Sequence, residues 1–280
     1  MKVYFINLDR SSDRLDWFRR QGGRLGLDMV RVPAVDGREM DEAELSRLRG
    51  LSSGNSLLST SEVACFLSHR KIWRSVADGD EDWAFVAEDD IHFSSDAGAF
   101  LNSTGWIPAN SYLIKAETNL KRQELSRAVL GRPSGHELRE LRSNHFCSGG
   151  YFLSRDGAAR LLAFSDVRCE PVDVILFSPD IGVMREMSVL QLSPAICLQD
   201  MFVPGHEGKT LESVIDTART DRRKSEKQAL RREKKLRREA KRVAGQIVEP
   251  FRRLFLIATG HSVFRTVPFE IGSGARSNAQ

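Results

Sequence analysis

Three consecutive carboxylates, Glu88, Asp89 and Asp90, interrupt an otherwise apolar stretch, WAFVAEDDI at positions 83–91. Like charges this close repel one another, and an ionised carboxylate at the edge of a core is costly. Two readings fit. Hard oxygen ligands clustered at a strand end suit Mg2+ or Mn2+, which keeps water and bridges substrate phosphates. The alternative is a solvated acidic strand end. A second group of polar residues, Asn7, Asp9, Arg10 and Arg14 in INLDRSSDR, lies where an apolar run gives way to a helical pattern. Arginines there oppose the helix dipole unless an anion sits nearby. The turn therefore either meets a diphosphate through Arg10 or Arg14, or carries surface arginines paired with Asp9 and Asp13.

The elements that would hold these residues follow from periodicity. Residues 2–8 form a buried strand. A helix with Leu15, Phe18 and Leu25 on one face follows, with Ser11 and Ser12 as caps. Residues 29–35 form a second strand, closed by Asp36–Gly37. The polar stretch 41–57 is expected to be a surface excursion. Ser59 and Glu62 fit a capping box ahead of a helix with Val63, Phe66, Leu67, Trp73 and Val76 on its apolar stripe. The 83–87 strand comes next, then strands at 112–115 and 151–154 and a helix over 155–164. The VILF run after Asp173 and the 187–192 stretch read as further strands. Alternating strands and helices predict an α/β domain with a largely parallel sheet. Ligands in such a sheet bind beyond the carboxyl ends of the strands, where Glu88-Asp89-Asp90 falls.

The motifs INLDRSSDR (6–14), SEVACFLSH (61–69), FVAEDDI (85–91), SGGYFLSRDGAARLL (148–162) and PVD (171–173), in this order, resemble glycosyltransferase family 25, over roughly residues 1–204. That family includes bacterial lipopolysaccharide and lipooligosaccharide transferases. Ala64 departs from the glycine common before the cysteine of the SH helix, a packing difference. The resemblance implies a GT-A-type Rossmann-like domain, a nucleotide-sugar donor such as UDP-galactose or UDP-glucose, and a divalent metal, Mn2+ or Mg2+. It makes Asp90 the direct metal ligand, with Glu88 acting directly or through a water or ribose and Asp89 beside the donor. Asn7, Arg10 and Arg14 would contact the donor. Ser68 and His69 would bind it or order the acidic loop, as against a hydrogen-bonded structural pair. Gly149 and Gly150 permit close backbone approach and would line the pocket. An inverting transferase needs a base for the acceptor hydroxyl. Asp173 is the first candidate and Glu117 the second, the alternative for Asp173 being a cap on backbone amides.

Composition narrows the remaining possibilities. The apolar fraction of 41% is ordinary for a globular protein. The four cysteines include no CxxC pair, which excludes a zinc framework and a disulfide scaffold and points to reduced thiols. The first residues lack the apolar core of a signal peptide, and no stretch is long enough to span a bilayer. The net charge of +4 conceals a segregation, because residues 219–242 alone carry thirteen Lys/Arg against four Asp/Glu. A domain boundary is placed near 217, giving a catalytic domain over 1–217 and a basic amphipathic helical tail with the C-terminal segment over 218–280. Such a tail fits an anionic membrane surface, hence a peripheral cytoplasmic enzyme on the inner face of the inner membrane, acting on a lipid-linked or oligosaccharide acceptor. Rival readings are a nucleic-acid-binding protein gripping phosphate through the tail and a metal-dependent nucleotide-sugar hydrolase. The acidic body and the lack of aromatics within 219–242 argue against specific nucleic-acid binding.

Overall fold

The computed structural model describes residues 1–53, 58–203 and 260–270. The chain opens with β1 (Lys2–Asn7), α1 (Ser12–Arg24) and β2 (Asp28–Pro33), a βαβ unit whose two strands pair in parallel. Helix α1 runs through both of its glycines, and Ser11 stands at its N-cap without a side-chain hydrogen bond. The stretch expected as a surface excursion instead contains α2 (Glu42–Gly50). Asp41 caps it by accepting from the Glu44 amide, and Leu45 and Leu48, three apart, are buried against the next helix. That helix, α3 (Thr60–Ala77), begins in the full Ser59/Glu62 capping box.

Next come β3 (Trp83–Glu88), β4 (Ile91–Phe93), α4 (Ala97–Leu101), β5 (Leu113–Lys115) and β6 (Glu117–Thr118). They are followed by β7 (Arg122–Ser126), β8 (Glu137–Glu140), β9 (Gly150–Ser154) and α5 (Arg155–Asp166). The expected strand after Pro171 is a helix, α6 (Val172–Phe177). The Pro171 carbonyl accepts from the amides of both Val174 and Ile175, and Val172, Ile175 and Leu176 share a buried face. Burial at helical spacing overrides the strand preference of the β-branched residues here. Strands β10 (Val189–Ser193), β11 (Cys197–Gln199) and β12 (Ser262–Thr266) complete the described residues.

Seven strands form the main sheet in the order β2-β1-β3-β9-β5-β10-β8. Five run in one direction, while β9 and the edge strand β8 run against their neighbours. Alternation sorts the strand residues into two apolar layers. Tyr4, Ile6, Ala84, Val86, Tyr151 and Leu153 face the layer of α3, α5 and α6. Val3, Phe5, Phe85, Ala87 and Phe152 face the layer of α1 and α4. A smaller sheet, β4-β11-β6, stands at the end of β3, and β12 pairs antiparallel with β7. Residues 260–270 thus return to the main body, with Val267 fully buried. The boundary at 217 and the basic stretch 219–242 lie outside the described residues. Among the described residues, no helix is long and apolar enough to cross a membrane.

Candidate active site

The alternation that sorts the core also separates the three carboxylates. Glu88 continues the parity of Ala84 and Val86 and so turns toward α3, where His69 Nε2 lies 3.5 Å from its Oε1. Asp89 has the opposite parity and meets the α1 side. The Asn7 amide donates to its Oδ2 at 2.6 Å, and Arg14 pairs with its Oδ1. Asp90 sits between these layers, with Arg14 3.6 Å from its Oδ2. The Gln199 amide on β11 lies 3.3 Å from Glu88 Oε2 and 3.4 Å from Asp90 Oδ1. One small group therefore already spans these two carboxylates.

Their charge states diverge. Burial pushes Glu88 up, but His69, Ser148 and Arg14 together outweigh it and hold the carboxyl below its ordinary value. Ser148 contributes a hydroxyl that donates at 2.7 Å. Burial raises Asp89 against the pull of Arg14 and Asn7. Burial and the Glu88 charge together push Asp90 up to about 8. Among the described residues, Arg14 is the one guanidinium in ion-pair contact with the triplet. Three carboxylates against one guanidinium leave an excess of negative charge in a site of hard oxygen donors. Glu88 and Asp90, which meet at the Gln199 amide, offer hard oxygens of the kind that suit Mg2+ or Mn2+, while Asp89 turns away to Asn7 and Arg14. Among the described residues, the metal-ligating side chains that converge in a group of three are Cys65, His69 and Glu88.

His69 is oriented from behind. The Trp73 indole donates to the Tyr151 hydroxyl at 2.8 Å, and that hydroxyl lies 2.9 Å from His69 Nδ1. With its oxygen accepting from Trp73, Tyr151 gives its own proton to Nδ1, which leaves the ring proton on Nε2 facing Glu88. All three side chains are fully buried. Tyr151→Phe should therefore cost about 1–3 kcal/mol, because two buried partners lose their bond. It should also weaken activity by loosening Glu88. Thermal melts and turnover of the same preparation check both effects.

A second polar group adjoins the first across the β9 entry. Lys115, fully buried at the end of β5, donates to Glu117 Oε2 at 3.1 Å and to the Cys147 carbonyl at 2.6 Å, and its ammonium lies 4.0 Å from the centre of the Phe177 ring. The Gly149 amide donates to the same Glu117 oxygen at 2.9 Å, while Oε1 has no hydrogen-bond partner among the described residues. Burial is the main cause that pushes Glu117 up to about 7. Asp173, in the first turn of α6, accepts from the Cys147 amide at 3.2 Å. Gly149 is required by space: a Cβ there would stand 2.7–2.8 Å from Ile91, Gln199 and Glu117. At Gly150 a Cβ would meet the Cys197 sulfur at 2.3 Å. Cys147 itself holds φ at +80°, a left-handed conformation uncommon for a side-chain-bearing residue.

The structure thus gathers Asn7, Arg14, His69, Glu88, Asp89, Asp90, Glu117, Asp173, Gly149 and Gly150 around the end of β3 and the start of β9. It places Arg10 and Ser68 elsewhere. Arg10 pairs with Asp36, which Arg38 also holds. The Ser68 hydroxyl donates to the Ala64 carbonyl at 2.7 Å and accepts from the Val35 amide at 2.9 Å, tying the chain after β2 to α3. Lys115, Ser148, Tyr151, Trp73 and Gln199 join the site without having been singled out in the sequence. Lys115 alone left a local signal, a cation closing the apolar run YLI.

Residues 1–176 match the sequence profile of Glycosyltransferase family 25 (LPS biosynthesis protein). The chain belongs to this family. The transferase is 27% identical over 238 residues to the lacto-N-neotetraose biosynthesis glycosyltransferase LgtB of Neisseria meningitidis serogroup B, covering 81% of this chain and 86% of that protein. It is 30% identical over 221 residues to LgtE from the same organism, covering 72% and 75%. With the lipooligosaccharide biosynthesis protein lex-1 of Haemophilus influenzae the identity is 24%, over 70% and 66% of the two chains. A solved glycosyltransferase involved in glycosylating the major capsid of PBCV-1 superposes with a TM-score of 0.39 and 8% identity, covering 71% of this chain and 92% of that one. The chain is a glycosyltransferase, and its matched segment contains every carboxylate of the site.

Proposed function

We propose that this transferase moves a hexose, galactose or glucose, from a UDP-sugar to a lipopolysaccharide or lipooligosaccharide acceptor, with inversion and with Mn2+ or Mg2+ held by Asp90 and Glu88. The observation that carries the reading is the largely enclosed Glu88-Asp89-Asp90 cluster at the carboxyl end of β3, with Asp89 and Asp90 buried, in a chain of this family. A divalent cation there supplies Lewis-acid stabilisation of the charge that grows on the departing nucleoside diphosphate. Arg14 and Asn7 hold Asp89, and Gln199 and Ser148 hold Glu88, so the oxygens are aimed before any ligand arrives. Gly149 and Gly150 let Ile91, Gln199, Glu117 and Cys197 close against their backbone, which keeps Glu117 next to the triplet. Glu117 has the properties of the base: its carboxyl titrates near 7, and one oxygen carries no partner among the described residues. Asp173 is the second choice, since one of its oxygens anchors the Cys147 amide.

The decisive experiment is a panel of nucleotide sugars tested for thermal stabilisation with and without Mn2+, followed by turnover with the best donor. A ligand that binds the native state raises its apparent stability. Stabilisation by a UDP-hexose only with metal is the expected result. Equal stabilisation in excess EDTA would remove the metal from the reading.

The basic stretch 219–242 is proposed to hold the enzyme on an anionic membrane surface. Each Lys or Arg near such a surface contributes about 1 kcal/mol. Flotation with anionic liposomes should fall sharply when half of these basic residues become Gln, and should fall for the native chain at high salt. Undiminished flotation of the neutralised chain would end the proposal.

A further inference from the structure

Away from the carboxylates, the corner where β12 joins β7 and β8 holds a groove of about 640 Å3. Arg127, Arg132 and Arg139 line it together with Val129, Val263 and Phe264. Its charge is lopsided. Arg132 pairs with Glu137 Oε1 at 2.7 Å, while Arg139 and Arg265 reach Glu137 Oε2 at 2.9 and 2.7 Å. Three guanidiniums thus share one carboxylate, which Arg139 and Arg265 hold down at about 2. Arg127, exposed on the groove wall, has no carboxylate partner among the described residues. Arg265 Nε is buried without a hydrogen-bond partner among them. Three guanidiniums on one carboxylate, with the Arg127 charge on the same groove wall, repel one another unless a further anion joins them, and planar guanidinium forks suit phosphate oxygens. The apolar wall of Val129, Val263 and Phe264 suits the carbon skeleton attached to such a phosphate.

We propose that this groove binds a phosphate ester carried by the acceptor. The proposal rests on the transferase reading for the word acceptor, and on the groove alone for the phosphate. None of the lining residues touches Glu88, Asp89 or Asp90, so the donor diphosphate and this anion would occupy different places. An acceptor gripped at two points, by its phosphate here and by its hydroxyl at the base, would be selected for both.

The test compares the full-length chain with its Arg127→Gln/Arg132→Gln variant. Both side chains are exposed, and residues 219–242 are intact in each protein. Two probes are used: sn-glycerol 3-phosphate by calorimetry and phosphatidylglycerol vesicles by co-sedimentation. The expected result is at least tenfold weaker binding of glycerol 3-phosphate by the variant, with unchanged hydrolysis of the nucleotide sugar in the absence of acceptor. Loss confined to the vesicles would keep the phosphate chemistry and assign it to a bilayer headgroup. Equal binding of both probes by the two proteins, or no binding of either by the native chain, overturns the proposal. Since donor hydrolysis is read separately, failure of the transferase reading would show there and leave the phosphate result standing.

Discussion

Asp90→Asn abolishes transfer, by on the order of 10³-fold or more, while the metal-free protein becomes more stable at alkaline pH. The first effect follows from removing a charged oxygen from the proposed cation site, where several kcal/mol of transition-state stabilisation reside. The second follows from the carboxyl's titration near 8 in the folded, metal-free chain. Unfolded, the same group titrates near pH 4. Below about pH 4 both states are protonated and the group costs nothing. As pH rises towards 8, the unfolded chain releases its proton while the folded one still holds it, so stability is lost across that window. Asn does not titrate. In EDTA the variant should therefore exceed the native chain by on the order of a few kcal/mol at pH 8, with the two converging near pH 4. Melting curves over this range and turnover with Mn2+ provide the check. A variant that transfers at the native rate would refute the assignment of Asp90.

Glu117→Gln should lower turnover about 10²–10⁴-fold while leaving donor affinity within a few-fold, the pattern of a lost base. The pH dependence separates a base from a packing residue. In the native enzyme, kcat/KM should rise through pH 7 as Glu117 loses its proton, then level off. In the variant that limb should disappear. Asp173→Asn should cost less than tenfold, because its amide partner can still be bound by the carboxamide oxygen. If instead Asp173→Asn removes the limb and Glu117→Gln retains it, the two roles exchange.

Much of the site was legible because its chemistry is local in sequence. A carboxylate triplet at the end of an apolar strand announces both the strand's end and an unusual charge. The Ser59/Glu62 box marked the start of α3 for the same reason, since capping acts over three residues. What escaped was long-range. Gln199 reaches Glu88 and Asp90 only because β11 pairs with β4, a contact across more than a hundred positions. Tyr151 and Trp73 looked like core aromatics, and they are, but their polar edges form the chain behind His69. The strand expected after Pro171 is a helix because burial at helical spacing outweighed the preference of Val172, Val174 and Ile175. Helix α2 escaped because its polar face dominated the composition, although Leu45 and Leu48 carried the helical interval.

The pairing of β12 with β7 changes what kind of object the basic stretch is. Ala195 donates to the Pro268 carbonyl and the Thr118 hydroxyl donates to the Val267 carbonyl, each at 2.8 Å, so the chain is moored again after residue 260. The described residues on either side of 204–259 thus belong to one body. Severing the chain after Thr217 strips β12 from β7 and uncovers a strand edge able to pair with other chains. A shortened protein of that kind would report the loss of a seam in the body together with the loss of charge. The basic stretch is therefore better altered between its moorings than cut away.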